Sequence, residues 1–377
     1  MYRCQEDVLL TPLSSGTTGA PKCVMLTHRN FNAATDILKS EIFDNLSSDG
    51  GRRTTIAVLP FYHGSGFWAL CYCLLEGHNS VIMKNFQAPL MLSCIEDYKV
   101  DTLNIVPSIV NFLLKNDAQL KEFDLTSIKT VLCGSAPIGK DLIKTFLAKF
   151  SHVEKFLQGY GMTEVVILSH ITPLNSMLDD EKHLGSCGKL LPGFEARIVD
   201  DESGVECNEP GMRGELWLKS DCVMKGYLYD EIQTAEAIDQ DGWYHTGDVV
   251  YFDQDGYYYV VDRVKDLIKV NGLQVSPVEL ERVILTHPKI SDAAVVGVPD
   301  PERGEVPRAY IILHLDSGDE HGTIIEEIRK FVHDRIAPYK QLRGGIYVVD
   351  ELPRSPSGKI LRRELKKLVE LTAETIL

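Results

Sequence analysis

A short stretch near the start of the chain combines glycine, hydroxyl and ammonium groups in a pattern suited to binding phosphate. It reads Ser14-Ser15-Gly16-Thr17-Thr18-Gly19-Ala20-Pro21-Lys22 and lies between two apolar runs. The glycines allow the backbone to turn its N–H groups inward, and the hydroxyls and Lys22 supply further donors. The spacing differs from that of the P-loop, in which Gly, four residues and Gly-Lys-Ser/Thr follow one another. The stretch is therefore predicted to bind phosphate for another nucleotide chemistry. The alternative is a solvated Ser/Thr/Gly connector.

The elements that must position this loop alternate between strand-like and helical runs up to about residue 160. The predicted strands cover 54–59, 79–83, 102–106 and 129–133, and the predicted helices cover 91–98, 109–115 and 140–150. This alternation predicts a large α/β domain with a doubly wound, mixed sheet. Ligands of such sheets bind at the carboxyl ends of the strands. The loops expected there are 60–66, 133–137 and 158–164.

Beyond about residue 185 the pattern changes to short alternating runs, which predict an antiparallel β section. The turn 253–256, with Asp253, Asp255 and Gly256, predicts a hairpin and lacks the remaining ligands of a calcium loop. The charged segment 262–266 is predicted to be the boundary between a large domain over 1–261 and a small α+β domain over 267–377. In that domain a capping box at 276–279 starts a helix, and the loop 353–358 presents Lys359.

The composition excludes several classes of protein. The 377 residues carry a net charge of −15, which argues against nucleic acid as a general partner. The nine cysteines show no metal-ligand spacing and predict reduced thiols in an intracellular protein. The longest apolar run, 67–75, is too short for a transmembrane segment.

The cytoplasm is the favoured location of the protein, with the peroxisome as an alternative although the chain does not end in Ser-Lys-Leu. The oligomeric state is left open.

Five motifs occur in a characteristic order: SSGTTGAPK, GYGMTE (159–164), YHTGD (244–248), DRVKDLIK (262–269) and PRSPSGKILRREL (353–365). In this order they resemble the adenylate-forming superfamily, in the branch of acyl-CoA synthetases, 4-coumarate–CoA ligases and beetle luciferases. The resemblance implies that a carboxylic acid reacts with ATP to form acyl-AMP, and that CoA then replaces AMP. It implies ATP, Mg²⁺ and CoA as cofactor and co-substrates. The resemblance implies that 1–261 is an AMP-binding (adenylation) domain that is incomplete at its start, that 262–266 is a hinge and that 267–377 is a mobile domain carrying Lys359. Members of the superfamily carry a further N-terminal subdomain, and only 13 residues precede Ser14 here.

The resemblance also implies roles for individual residues. Lys359 is the main catalytic residue, His63 lies against the acyl carboxylate, and Glu164 binds Mg²⁺ and assists catalysis. The residues implied in ATP binding are Ser14, Ser15, Gly16, Thr17, Thr18, Gly19, Lys22, Gln158, Gly159, Tyr160, Thr163, Asp248, Arg263, Lys269 and Gln274. The acyl pocket is implied at Tyr62, Ser65, Gly134, Ser135, Ala136 and Val165, the CoA path at Asn271 and Gly272, and the hinge at Lys265. The basic residues Arg362, Arg363, Lys366 and Lys367 are interpreted mostly as a solvated face.

The leading hypothesis is a carboxylate–CoA ligase that acts on a fatty acid or an aryl-propenoic acid. The apolar positions of the implied pocket include no Asp to pair with an α-amine, which disfavours an amino acid. Two alternatives are a luciferase-like oxidase that passes acyl-AMP to O₂, and a truncated family member that binds only a nucleotide or a protein. Each of these residues also has a purely structural alternative: Glu164 as a surface carboxylate, Asp248 as a turn residue and His63 as a structural histidine.

Overall fold

The computed structural model describes residues 5–14, 21–44, 51–176, 181–200, 203–314, 321–355 and 358–367, with side chains of 321–323 left out. The chain divides into two compact units. One comprises Met1–Thr246 with Val250–Val260, and the other comprises Gly247–Val249 with Val261–Leu377. The assignment of 262–266 as a hinge stays a prediction.

The first unit begins with alternating strands and helices and continues as antiparallel β structure. Its strands are β1 (Val8–Leu10), β2 (Leu13–Ser14), β3 (Lys22–Thr27), β4 (Thr54–Ala57), β5 (Asn79–Ile82), β6 (Thr102–Ile105), β7 (Thr130–Cys133), β8 (Lys155–Tyr160), β9 (His170–Ile171), β10 (Lys189–Leu190), β11 (Phe194–Val199), β12 (Gly214–Ser220), β13 (Gly226–Tyr227), β14 (Tyr244–Phe252) and β15 (Tyr258–Arg263). The ends of β14 and β15 include residues assigned to the second unit. Its helices are α1 (His28–Leu38), α2 (Gly64–Glu76), α3 (Ala88–Asp97), α4 (Pro107–Lys115), α5 (Asp117–Leu120), α6 (Lys140–Lys149) and α7 (Glu231–Ala237), with a π-helical turn at Lys39–Phe43 and a 3₁₀ turn at Thr163–Val165.

The central sheet of the first unit has the order β10-β9-β8-β7-β6-β4-β5. Strands β4 to β8 pair in parallel, and β9 and β10 are added in antiparallel fashion. Strands β4, β6 and β7 are rich in buried Ile, Leu and Val, and helices α3, α4 and α6 contribute fully buried side chains such as Met91, Leu113 and Phe146 to the same core. Apolar runs buried on both faces are typical of parallel strands. The predicted doubly wound, mixed sheet is confirmed.

Antiparallel sheets account for the rest of the first unit. Strand β3 pairs with β1, β2 and β13, and a further sheet has the order β11-β12-β14-β15. The predicted hairpin lies between β14 and β15. In its turn the Asp253 carboxylate accepts from the amides of Asp255 and Tyr257, and Gly256 adopts a φ of +77°. The side chain of Asp253 therefore shapes a turn, as its position in the sequence indicates.

The second unit is a small α+β fold. It contains β16 (Ile268–Val270), β17 (Leu273–Val275), α8 (Pro277–Leu285), β18 (Ile290–Asp300), β19 (Gly304–Leu313), α9 (His321–His333), β20 (Ile346–Val348) and a helical stretch over 362–367. The sheet order is β17-β16-β19-β18, and β20 joins β19 in parallel. Ser276 caps α8 by accepting from the Glu279 amide, while the Glu279 carboxylate binds Lys340. The capping box is thus half formed.

In the part of the chain that the structure describes, no helix is long and apolar enough to cross a bilayer.

Candidate functional site

The two described ends of the predicted phosphate loop lie opposite each other. Strands β2 and β3 form an antiparallel pair in which Ser14 faces Lys22. This register places Ser14, with its hydroxyl, and Lys22, with its ammonium, at paired positions of the two strands. The predicted residues Ser15, Gly16, Thr17, Thr18 and Gly19 lie outside the described residues.

Lys22 and Glu164 are connected through one tyrosine. The ammonium of Lys22 donates to Gln233 Oε1 at 2.6 Å and lies 4.6 Å from the centre of the Tyr227 ring. The hydroxyl of Tyr227 donates to Glu164 Oε1 at 3.1 Å. Burial raises the pKa of the neighbouring Tyr244 well above its usual value, and the Glu164 carboxylate adds to this effect. A cation and a buried carboxylate from separate elements thus both contact Tyr227.

Glu164 itself is held by the backbone as well as by Tyr227. It lies in the 3₁₀ turn after β8, only 5% of it is exposed, and its carbonyl accepts from the Met224 amide. Thr163 precedes it and is half-buried. The burial of Glu164 argues against the alternative in which it is an ordinary surface carboxylate, because such carboxylates are usually exposed to solvent.

Three of the predicted site residues belong to β8 itself. Gln158 is buried and its amide donates to Thr172 Oγ1 at 3.0 Å. Gly159 faces Ile171 of β9, and a Cβ at Gly159 would lie 2.7 Å from a Leu168 methyl. The half-buried Tyr160 packs its ring edgewise against His170 at 5.5 Å. These residues lie at the carboxyl end of the strand, where the following loop begins.

The loop after β4 ends in a helix cap made by His63. Its Nδ1 accepts from the Ser65 amide at 3.4 Å and lies 2.9 Å from Ser65 Oγ. A Cβ at Gly64 would lie 3.1 Å from the Ile167 side chain, so this loop packs against the segment after β8. With Nδ1 as acceptor, the neutral ring carries its proton on Nε2. His63 therefore has a local structural role besides any role toward a substrate.

The other predicted acyl-pocket residues lie in different environments. Tyr62 is 71% exposed, Ala136 is exposed, and Gly134 and Ser135 are half-buried. Val165 is fully buried in a core that also contains Val24 and Trp68. Ser135 has a φ of +68°, and Val166 and Ile167 have φ values of +54° and +88°. Left-handed backbone at β-branched residues is rare and is concentrated at functional sites.

Asp248 and Arg263 meet within the second unit. Arg263 Nε lies 2.9 Å from Asp248 Oδ1, and only 5% of the Asp248 side chain is exposed. The preceding residue, Asp262, is also buried; it accepts from the Arg263 and Val278 amides and from Ser276 Oγ. Asp262 therefore fixes the backbone from which Arg263 extends. The pair offers a carboxylate and a guanidinium at one point, which suits the hydroxyls of a sugar.

The hairpin of β16 and β17 carries four further predicted residues. Lys269 and Gln274 face each other across it and are both exposed. Asn271 and Gly272 form its turn with φ values of +50° and +79°, the conformation that favours Asn-Gly in a two-residue hairpin. Turn geometry is thus a sufficient reason for these two residue types. The predicted hinge residue Lys265 is exposed.

Lys359 is half-buried, and both its amide and its carbonyl are hydrogen-bonded to Ser355.

The interpretation of Arg362 as part of a solvated face was wrong. Its side chain is 14% exposed, and its Nη2 donates to both carboxylate oxygens of Glu281 at 2.7 and 2.9 Å. Arg363 and Lys367 are exposed, as expected.

Sequence reasoning missed Tyr227, Gln233 and Glu281. Tyr227 lies in a two-residue strand and Gln233 in a helix of seven residues, and neither has a chemical pattern around it. Glu281 looks like any acidic residue of an amphipathic helix. Their importance comes from partners 63 to 211 positions away in the chain.

Two family models match the chain. The one described as AMP-binding enzyme matches residues 3–228, and the one described as AMP-binding enzyme C-terminal domain matches residues 279–359. The first match contains the Lys22–Tyr227–Glu164 contacts, and the second contains Glu281 and Lys359.

Curated relatives and solved structures agree with this match. A Humulus lupulus protein named as a CoA ligase is 41% identical over 97% of the chain, and the peroxisomal OPC-8:0-CoA ligase 1 of Arabidopsis thaliana is 40% identical over 97%. The chain spans 64% of the length of each. The o-succinylbenzoate CoA synthetase of Bacillus subtilis, solved with its acyl-adenylate intermediate, has a TM-score of 0.80 and 31% identity, over 96% of this chain and 69% of its own.

Proposed function

Because this chain belongs to the family of AMP-binding enzymes, we propose that it is an ATP-dependent carboxylate–CoA ligase. In the first step a carboxylate oxygen forms a bond to the α-phosphorus of ATP, the bond from that phosphorus to the bridging oxygen breaks, and pyrophosphate leaves. In the second step the CoA sulfur bonds to the acyl carbon, its proton passes to solvent, and AMP leaves.

The observation that carries this proposal is the connection of Lys22 to Glu164 through Tyr227. ATP brings several negative charges and a magnesium ion, so its site needs a cation and an oxygen ligand close together. Lys22 would meet the phosphates that leave as pyrophosphate. Glu164 would hold Mg²⁺, a hard ion that prefers oxygen and that neutralises charge on the phosphates, and Thr163 would contact the nucleotide.

The second unit supplies the remaining roles. Asp248 and Arg263 would bind the ribose hydroxyls, since one accepts and the other donates hydrogen bonds. Lys359 would bridge the attacking carboxylate and the α-phosphate, where its charge acts mainly in the transition state. Lys269 and Gln274 would contact AMP, and Lys265 would be the hinge.

The acid is proposed to be a fatty acid or an aryl-propenoic acid. The loops after β4 and β7 offer aromatic, glycine and small side chains, which suit an apolar acyl group. His63 would meet the acyl carboxylate through Nε2, because its Nδ1 caps α2. The name of the Arabidopsis relative, an OPC-8:0-CoA ligase, supports an apolar acid.

The test is the release of AMP by the purified 377-residue chain with ATP, Mg²⁺, CoA and a panel of fatty and aryl-propenoic acids. AMP release that needs both CoA and one class of acid is the expected result. A folded, monodisperse chain that binds ATP and releases no AMP would contradict the proposal and favour a nucleotide-binding protein.

Lys359→Ala tests the catalytic role directly. We expect acyl-AMP formation to fall by at least about a hundredfold while the Kd of ATP changes by less than about threefold, because the lost charge acts in the transition state. Isothermal titration and single-turnover measurements separate the two quantities. Lys367→Ala, at an exposed lysine paired with Glu364, is the matched control. Equal losses in binding and in rate would contradict the role.

A further inference from the structure

The chain segment that carries Lys359 is attached to β18 by an arginine on its N-terminal side. Arg354 Nη2 donates to both carboxylate oxygens of Asp292, at 2.9 and 2.7 Å. Its Nη1 donates to the Gly358 carbonyl at 2.6 Å. One side chain therefore binds the strand and, at the same time, the residue immediately before Lys359.

The backbone around Lys359 is bonded within its own segment. The Lys359 amide donates to Ser355 Oγ at 3.2 Å, and its carbonyl accepts from the Ser355 amide at 2.8 Å. Arg354 and Ile360 form an antiparallel bridge, and the Leu361 amide donates to the Pro353 carbonyl at 2.8 Å. The backbone of Lys359 and of its described neighbours is therefore held by hydrogen bonds.

A second arginine attaches the C-terminal side of the same segment. Arg362 binds Glu281 of α8 and donates from Nε to the Val295 carbonyl of β18 at 3.3 Å. The Glu281 carboxylate also accepts from the Val295 amide at 2.8 Å. Three residues later, Leu365 is fully buried against Val296 and its neighbours. Both ends of the Lys359 segment are therefore fixed to one strand.

Arg362 is also attracted by two carboxylates in the segment that holds Arg263. Burial alone would lower the pKa of Arg362, but the attraction of Glu281, Asp262 and Asp266 outweighs it and raises this pKa above its usual value. Asp262 accepts from the Arg263 amide, and Arg263 pairs with Asp248. The Arg362 guanidinium thus stabilises Glu281 on one side and Asp262 on the other. Asp262 in turn orders Arg263, which belongs to the predicted ribose-binding pair.

We propose that Arg354 and Arg362 are positioning residues for Lys359. This inference rests on the proposed function, in which the Lys359 ammonium acts on the reacting groups. A lysine side chain has a flexible stem, so the position of its nitrogen depends on a rigid backbone at its base. Two arginine–carboxylate contacts, eight residues apart and on either side of the lysine, supply that rigidity. Misplacement of a reacting group by about 1 Å costs a rate factor of about a hundred.

Arg354→Gln is the first test, because the Arg354–Asp292 pair is about 30% exposed and its loss should leave the fold intact. We expect kcat for acyl-AMP formation to fall about ten- to a hundredfold, with the KM for ATP within about twofold. Arg329→Gln removes an exposed pair with Glu326 in the same unit and is the matched control. An unchanged kcat in folded Arg354→Gln would overturn the proposal.

A double-mutant cycle distinguishes positioning from general stability. In a Lys359→Ala background, Arg354→Gln should cause no further loss of the residual rate, because it acts through the missing ammonium. The same loss in both backgrounds would overturn the proposal.

Amide hydrogen exchange tests the positioning without relying on catalysis. Peptides that contain the Lys359 and Leu361 amides should exchange faster in Arg354→Gln and in Arg362→Lys than in the wild type and in Arg329→Gln. Unchanged exchange would overturn the proposal. If the wild type forms no acyl-AMP but the exchange rates rise as expected, the proposed function fails while the structural role of the two arginines stands.

Discussion

Among single side chains, Tyr227 shows best how this chain brings charges together. Its ring lies beneath the Lys22 ammonium, and its hydroxyl donates to the Glu164 carboxylate. A hydrogen bond to a charged group contributes about 1.5–3 kcal/mol, and a cation over a ring contributes about 0.5–2 kcal/mol. Tyr227 thus stabilises both proposed partners of magnesium–ATP without itself being charged.

Tyr227→Phe keeps the ring and removes the hydroxyl. We expect kcat/KM for magnesium–ATP in the AMP-release assay to fall about tenfold, because the Glu164 carboxylate loses a fixed donor and about 1.4 kcal/mol corresponds to a factor of ten. Tyr259→Phe removes a comparable bond, from a tyrosine hydroxyl to Asp253, and is the control. Equal effects of the two substitutions would contradict the role of Tyr227.

Among the secondary-structure elements, strand β5 stands out because it ends the seven-stranded sheet of the described residues. Ile82 on this strand is 60% exposed, and Leu74 and Leu75 at the nearby end of α2 are 73% and 57% exposed. An edge strand with unpaired backbone groups and apolar side chains favours pairing with another chain. We therefore expect the isolated chain to associate through this edge at high concentration.

Ile82→Lys places a charge on that edge. We expect the weight-average mass from light scattering to rise less with protein concentration than in the wild type, because a charged edge disfavours strand pairing. Val205→Lys, at a residue 63% exposed outside the central sheet, controls for added charge. If both substitutions act alike, the effect comes from net charge and the edge is not responsible.

For the molecule as a whole, histidines shielded from solvent contribute to the dependence of stability on pH. His170 is fully buried between the rings of Tyr160 and Tyr258, and burial lowers its pKa to about 3. The unfolded chain takes up this proton near pH 6.5 and the folded chain only near pH 3, so the free energy of unfolding falls as the pH is lowered between these values. Burial also lowers the pKa of His78 and His287, which act in the same direction.

His170→Phe keeps a ring between the two tyrosines and removes the titrating group. We expect the slope of the unfolding free energy against pH, measured by urea denaturation, to decrease by about 1.4 kcal/mol per pH unit between about pH 6 and 4. His333→Gln, at an exposed histidine, is the control for the loss of a histidine side chain. A slope in His170→Phe equal to that of the wild type would contradict the assignment.

Local sequence patterns were sufficient for the fold class and for most elements. The predicted strands at 79–83, 102–106 and 129–133 correspond to β5, β6 and β7 within one residue at each end. Apolar runs between turn residues define such buried strands, and the turns at Asp253–Gly256 and Asn271-Gly272 form by contacts within a few residues. These features depend on neighbours in the chain, so the sequence alone determined them.

Contacts between distant residues were decided only by the tertiary structure. Tyr227 meets Glu164 across 63 positions, and Arg362 meets Glu281 across 81. Charged residues are usually exposed, so a local reading assigns Arg362 to the solvent. Its burial depends on how the helix over 362–367 packs on β18 and on the place of α8 beside that strand. Sheet order and packing set these positions, and no local pattern in the sequence encodes them.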